Sequence, residues 1–231
     1  MTHRLGAVFA AVVLLCTAGY AQSVISAQSG LINYVEGQVY VNGSQVERHA
    51  GLYPQLKERA ELTTEDGRVE VLLNPGVFLR LGENSAIRMI STRLIDTRLE
   101  VLQGSALLEC AELPKDNAAT LVFKDATISL RKSGIYRLDA EPGVFRVHDG
   151  EALVESANQR ITLNRGKLVN LTGVWAVEKF DTKANDALYR WSHRRSGYLA
   201  MANVAAAKSL VDSGRSWTSA GWLWNPWLSL Y

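Results

Sequence analysis

From Thr64 to Met89 the chain reads TEDGRVEVLLNPGVFLRLGENSAIRM, and its apolar residues recur at every second position between turn-forming residues. Val69, Val71 and Leu73 alternate with Arg68, Glu70 and Leu72, the period of a strand with one buried face. Asp66-Gly67 carries a hairpin-turn signal, because glycine adopts the positive φ that tight two-residue turns need. Asn74-Pro75-Gly76 turns the chain into Val77–Leu81, and Gly82-Glu83-Asn84 turns it again into Ala86–Met89. Three such strands cannot bury their apolar face by themselves. The rest of the chain has to complete the sheet.

The same punctuation continues on both sides. Gly37-Gln-Val39-Tyr-Val41 reads as a first strand closed by Asn42-Gly43, and a looser connection from His49 to Arg59 leads into the central meander. After a break at Ala111–Ala118, strands are expected at 120–123, 127–130, 135–138, 144–147, 152–154, 161–163, 167–169 and 174–177. Many short strands between turn residues, with no helical pattern among them, predict an all-β fold: an elongated sandwich or a solenoid-like stack of short antiparallel strands. The pattern also repeats. Pro75-Gly-Val-Phe78 returns as Pro142-Gly-Val-Phe145, an offset of 67, and the same offset carries Gly67 to Gly134 and Gly37 to Gly104. Two related halves, about 35–102 and 103–169, each covering the other's apolar edge, are expected.

The N-terminus sets the compartment. Met1-Thr-His-Arg4 is a basic start, Leu5–Ala18 is an apolar run, and Gly19-Tyr20-Ala21 offers small residues at −3 and −1 of a cut before Gln22. This is the pattern of a secretory signal peptide over 1–21, and it predicts a periplasmic or secreted protein. The other reading, a retained membrane anchor, asks for an apolar run of roughly 20 residues, longer than this one. Residues 22–34 read as a loosely held lead-in. Without Arg4 the 25 Lys+Arg become 24 against 23 Asp+Glu, a near-neutral chain that argues against nucleic acid as a partner. Cys110 is then the one mature cysteine, so no intramolecular disulfide can staple the fold. With Glu109 and Glu112 beside it, it reads as a small buried apolar residue.

Several of these segments together resemble the FecR domain family. They are Gly37-Gln-Val-Tyr-Val, Leu62-Thr-Thr-Glu-Asp-Gly67-Arg-Val-Glu-Val, Gly82-Glu-Asn-Ser85-Ala-Ile, Gly134-Ile-Tyr-Arg-Leu138 and Val147-His-Asp-Gly150-Glu-Ala. The resemblance covers about residues 35–170. It implies an extracytoplasmic all-β module that acts through protein contacts. In the regulators that name the family, an anti-sigma segment and a membrane helix precede this domain. Here the signal-peptide pattern stands in that place, a departure that counts against signalling to a sigma factor.

Beyond Phe180 the period changes. Leu188, Trp191, Arg195, Tyr198, Ala202, Ala206 and Leu210 follow three-and-four spacing behind a cap at Asp181 or Thr182, which predicts a helix over 183–211. At 1.5 Å per residue it would be roughly 43 Å long, and Gly197 is a place for it to bend or split. Residues 212–231 form a tail holding Trp217, Trp222, Trp224 and Trp227.

No nucleophile elbow, His-Glu-x-x-His, phosphate loop or Cys-x-x-Cys is present. No enzyme activity, metal or cofactor is therefore expected. His49, His148 and His193 read as surface or turn residues, and Glu65, Asp66, Asp149 and Glu151 as solvated turn carboxylates. Two features stand out as partner-binding candidates. The first is the basic run on the helix, Arg194 and Arg195 with Arg190, His193 and Lys208, which is either a solvated face or a contact with an anionic partner. The second is the tryptophan tail, which either folds back over the sheet or faces an interface, a glycan or the membrane headgroup zone. The function expected is a non-catalytic scaffold that binds an envelope protein or an anionic or glycan envelope component. The alternatives are a membrane-anchored signalling regulator and, behind it, a carbohydrate-binding or carbohydrate-active protein that would need two facing carboxyls.

Overall fold

A computed structural model describes residues 29–47, 54–111 and 119–212. The signal-peptide pattern, His49, most of the 111–118 break and the tryptophan tail lie outside the described residues. The strands are β1 (Leu31–Val41), β2 (Ser44–Gln45), β3 (Glu61–Asn74), β4 (Val77–Leu81), β5 (Ala86–Arg93), β6 (Asp96–Gln103), β7 (Ser105–Cys110) and β8 (Ala119–Phe123). They continue as β9 (Ala126–Leu130), β10 (Gly134–Asp139), β11 (Val144–Asp149), β12 (Glu151–Glu155), β13 (Arg160–Asn164), β14 (Lys167–Asn170) and β15 (Val177–Lys179), and one helix follows, α1 (Ala187–Asp212). The fold is all-β with a C-terminal helix.

The strands form one sheet in the order β13-β12-β9-β8-β6-β5-β3-β4-β7-β10-β11-β14-β15, with β1 along β3 and β2 on the end of β1. The hinge of the fold is β3. Its first residues, Glu61–Thr63, pair with β5, whereas Val69–Asn74 pair with β4. The sheet therefore turns back on itself into two arms, and β1 follows β3 from one arm to the other. The inner faces share one core. Leu62, Ile87, Leu99, Leu121, Ile128 and Val154 line it from the first arm; Val71, Leu79, Leu108, Tyr136, Phe145 and Val169 line it from the second.

The Asp66-Gly67 hairpin expected from the sequence is not formed. Gly67 lies inside β3 and pairs with Gly37 of β1. A Cβ on Gly67 would sit 2.6 Å from both the nitrogen and the oxygen of Gln38. One on Gly37, which has a φ of 70°, would run into the carbonyl of Asp66. The glycine is there to let two backbones touch where the paired strands bend. The first strand also starts earlier than expected. Residues 31–34, read as lead-in, belong to β1, and Ile32 and Asn33 are buried. At the other end, residues 174–176 are not strand: β15 begins at Val177, and Trp175 is a core residue in a loop.

The pairing pattern of the first half recurs in the second. In the first, β3 pairs with β1 on one side and with β4 and β5 on the other. In the second, two shorter strands share that part. Strand β10 pairs with β7 and β11, and β9 pairs with β8 and β12. Hairpin β12–β13 stands where β5–β6 stood. Strand β7 serves both halves, flanked by β4 and by β10. Among the described residues, the one parallel ladder is β6 with β8, where the halves meet in the first arm.

Candidate functional site

Alternation on the second arm turns Glu70, Leu72, Phe78, Arg80, Leu107, Glu109, Ile135, Arg137, Asp139, Arg146 and His148 away from the core. This outer face mixes charge with large apolar residues. Residues 180–199 lie across it.

Helix α1 is placed by three kinds of contact. Asp186, not Asp181 or Thr182, is its cap, since Asp186 Oδ1 accepts from the Tyr189 N–H at 2.9 Å. Asp181 instead accepts from the Lys183 N–H at 2.9 Å in the preceding turn. Leu188 and Trp191 bury against Leu107, with Tyr34, Ile135 and Tyr189 around them. The Trp191 indole N–H donates to Glu36 Oε2 at 2.9 Å. The helix runs unbroken through Gly197, which faces open space. Its buried stripe continues through Ser192 and Leu199, whereas Tyr198, expected in the stripe, is exposed.

Beneath the helix lies an ion network without solvent access at its centre. Arg80 and Glu70 are both fully buried, and Arg80 Nε donates to Glu70 Oε2 at 2.7 Å. Arg80 Nη1 also donates to Glu109 and, at 2.7 Å, to Ser192 Oγ of the helix. Glu70 Oε1 accepts from Arg195 Nη2 and from Asn33 Nδ2, each at 2.8 Å. The Arg195 guanidinium lies 4.0 Å from the centre of the Tyr34 ring, within cation–π range. Burial works against ionising Glu70, but Arg80 and Arg195 outweigh it and hold its carboxyl below the usual carboxylate range. A buried ion pair is costly to break from one side, because the remaining charge has no solvent.

A second cluster begins where the helix does. Arg137 Nε donates to Asp139 at 2.8 Å and its Nη1 pairs with the capping Asp186 at 2.5 Å. Arg146 reaches the other oxygen of Asp139. These groups, with His148, Leu168, Phe180 and Asp181, line an open cleft of about 430 Å³. His148 is buried there, contrary to its reading as a surface residue, with Phe180 and Tyr189 rings 4.9 Å away. Burial first, then Arg137 and Arg146, push its pKa down, so it sits neutral between two cations. Burial raises the pKa of Asp186, but the Tyr189 N–H and Arg137 outweigh it and hold the carboxyl low, the opposite of what a general acid needs.

The candidate residues thus divide. Arg195 is turned inward onto Glu70 and is not available to a partner. Arg190, His193, Arg194 and Lys208 are exposed on the helix. Trp217, Trp222, Trp224 and Trp227 lie outside the described residues. Cys110 is buried, and burial together with Glu109 pushes its thiol up to about 12. Glu70, Arg80 and Glu109 went unread as a network. The signal was Leu72 and Phe78, large apolar residues at outward positions of the same strands, which indicate a covered outer face. Among the described residues, no group of three or more His, Cys, Asp or Glu is arranged to hold a metal ion, and no helix is long and apolar enough to cross a membrane.

No family model and no curated protein matches the sequence. Two crystal structures of a putative anti-sigma factor from Parabacteroides distasonis ATCC 8503 resemble the chain at 13% identity and a TM-score of 0.45. The match covers 53% of this chain and 61% of that one, so the chain spans about three fifths of the length of these neighbours. A likeness of this degree says nothing about activity.

Proposed function

We propose that this chain is a non-catalytic, exported FecR-like module that binds a protein of the cell envelope, with the distal half of α1 leading into the contact surface. The observation that carries the reading is the division of the helix. From Ala187 to Leu199 it is clamped by Leu188, Trp191, Ser192 and Arg195. Beyond that point Met201 and Val204 are exposed, and with Tyr198 they fall in one sector of the helix at steps of three residues. An ordered base that carries an exposed apolar stripe is a form suited to a helix-in-groove contact. The signal-peptide pattern and the FecR-like segments support the compartment and the role.

The test places a photocrosslinking residue at 201 or 204, and in parallel at Lys124 as a surface control, in cells that export the chain. The expected outcome is one discrete protein adduct from 201 and 204, absent at 124. Equal labelling at all three positions overturns the helix surface. An unshortened N-terminus, where cleavage should leave Gln22 first, overturns export. Recovery of the same adduct after deleting 214–231 removes the tail from the surface.

A further inference from the structure

The repeated pairing leaves one strand of the second half without the neighbour that its counterpart has. In the first half, hairpin β5–β6 brings Leu99 and Val101 inward, opposite Met89 and Ile87. Across the other edge of β6 lies β8, parallel, with Leu99 opposite Leu121. In the second half, hairpin β12–β13 brings Ile161 and Leu163 to the same positions, opposite Val154 and Ala152. Among the described residues, no strand pairs with the other edge of β13. The side chains register the difference. Leu99, Val101 and Leu163 are all buried, whereas Ile161 is only half-buried. Next to the start of β13, Trp175 N–H donates to Gln159 Oε1 at 2.9 Å, and Val174 beside it is 90% exposed.

We infer that the open edge of β13 is a docking site for an extended peptide of another protein, which adds to the sheet in parallel as β8 adds to β6. The internal copy gives the partner's chemistry. It needs apolar residues at alternate positions, as Ala119, Leu121 and Phe123 of β8 provide, with the middle one covering Ile161. Main-chain hydrogen bonds supply affinity and the alternating side chains supply selectivity. Arg160 and Arg165 stand exposed at the two ends of the edge, each held by one exposed carboxylate contact, to Glu155 at 3.2 Å and to Asp149 at 3.9 Å. Such pairs are weak, so acidic residues flanking the apolar segment suit the site. The inference does not rest on the helix or the tail.

The probe is a synthetic peptide with the sequence of residues 117–125, NAATLVFKD, offered to the full chain. Amide exchange is followed with and without it. The expected result is saturable slowing, roughly tenfold at saturation, confined to the 160–164 amides. A nitroxide on the peptide's N-terminus should broaden residues near 160, and one on its C-terminus residues near 164. The same peptide N-methylated at alternate amides should lose the effect, as should the Ile161→Asp chain if its circular dichroism is native. Absence of slowing at 160–164, or a reversed nitroxide pattern, overturns the proposal. So does protection, in the free chain, of those 160–164 amides that point away from β12, which would mean that its own residues fill the edge. Protection that rises with protein concentration alone assigns the edge to a second copy and likewise overturns it.

Discussion

Glu70 is the residue on which the outer face turns. It stands on β3, pairs with Arg80 on β4, and receives Arg195 from the helix and Asn33 from β1. Because its folded pKa is lowered, its contribution is complete above the unfolded carboxyl value of 4.5 and disappears as pH falls through that value towards the folded one. Glu70→Gln removes the charge and leaves Arg80 buried beside Glu109 alone. At pH 7 this substitution should cost about 3–5 kcal/mol, the range for breaking a buried pair from one side. Measured by chemical denaturation from pH 7 to pH 3, the gap between the variant and the parent should narrow as the parent's own carboxyl protonates. A gap constant across that range would show that the loss is one of packing and not of charge.

At the scale of the element, the bend in β1 and β3 depends on two glycines that have no room for a side chain. Gly67→Ala would force a Cβ into the main chain of Gln38. It should cost more than about 3 kcal/mol, among the large effects of single substitutions. Gly43→Ala offers a contrast. Here, unlike at Gly67, φ is positive, 77°, but a Cβ meets only open space, so about 1 kcal/mol is expected. Thermal melts of both variants separate close approach from backbone strain, and equal losses would refute the distinction. The same pair explains what was legible. Alternation placed most strands to within a residue or two, because side-chain period is a local property. Asp66-Gly67 misled because a turn signal is also local, while the reason for the glycine is Gly37, thirty residues away. The helix was legible from its spacing, but its cap was not, since Asp181 and Asp186 each bind a nearby N–H. Arg195 read as a surface cation because nothing in its own segment reveals Glu70 beneath it.

For the whole molecule, the two arms and their shared core are closed at one end by Trp175. It leaves β14, enters the core from a loop and ties its N–H to Gln159 near β13. Trp175→Ala should cost about 3–5 kcal/mol, the range for emptying a large aromatic site. It should also speed amide exchange in β12 and β13 ahead of β3. A uniform change across the sheet would mean that Trp175 does not guard that end. Strand β7 has the wider consequence. Its two flanks belong to different halves, so no single cut of the chain yields two intact pieces: whichever fragment keeps it is whole and the other carries a raw flank. Growth is easier than division in such a design. A further copy appended to the chain could take β14 as its opening strand once β15, which pairs along the outer flank of β14, had moved aside.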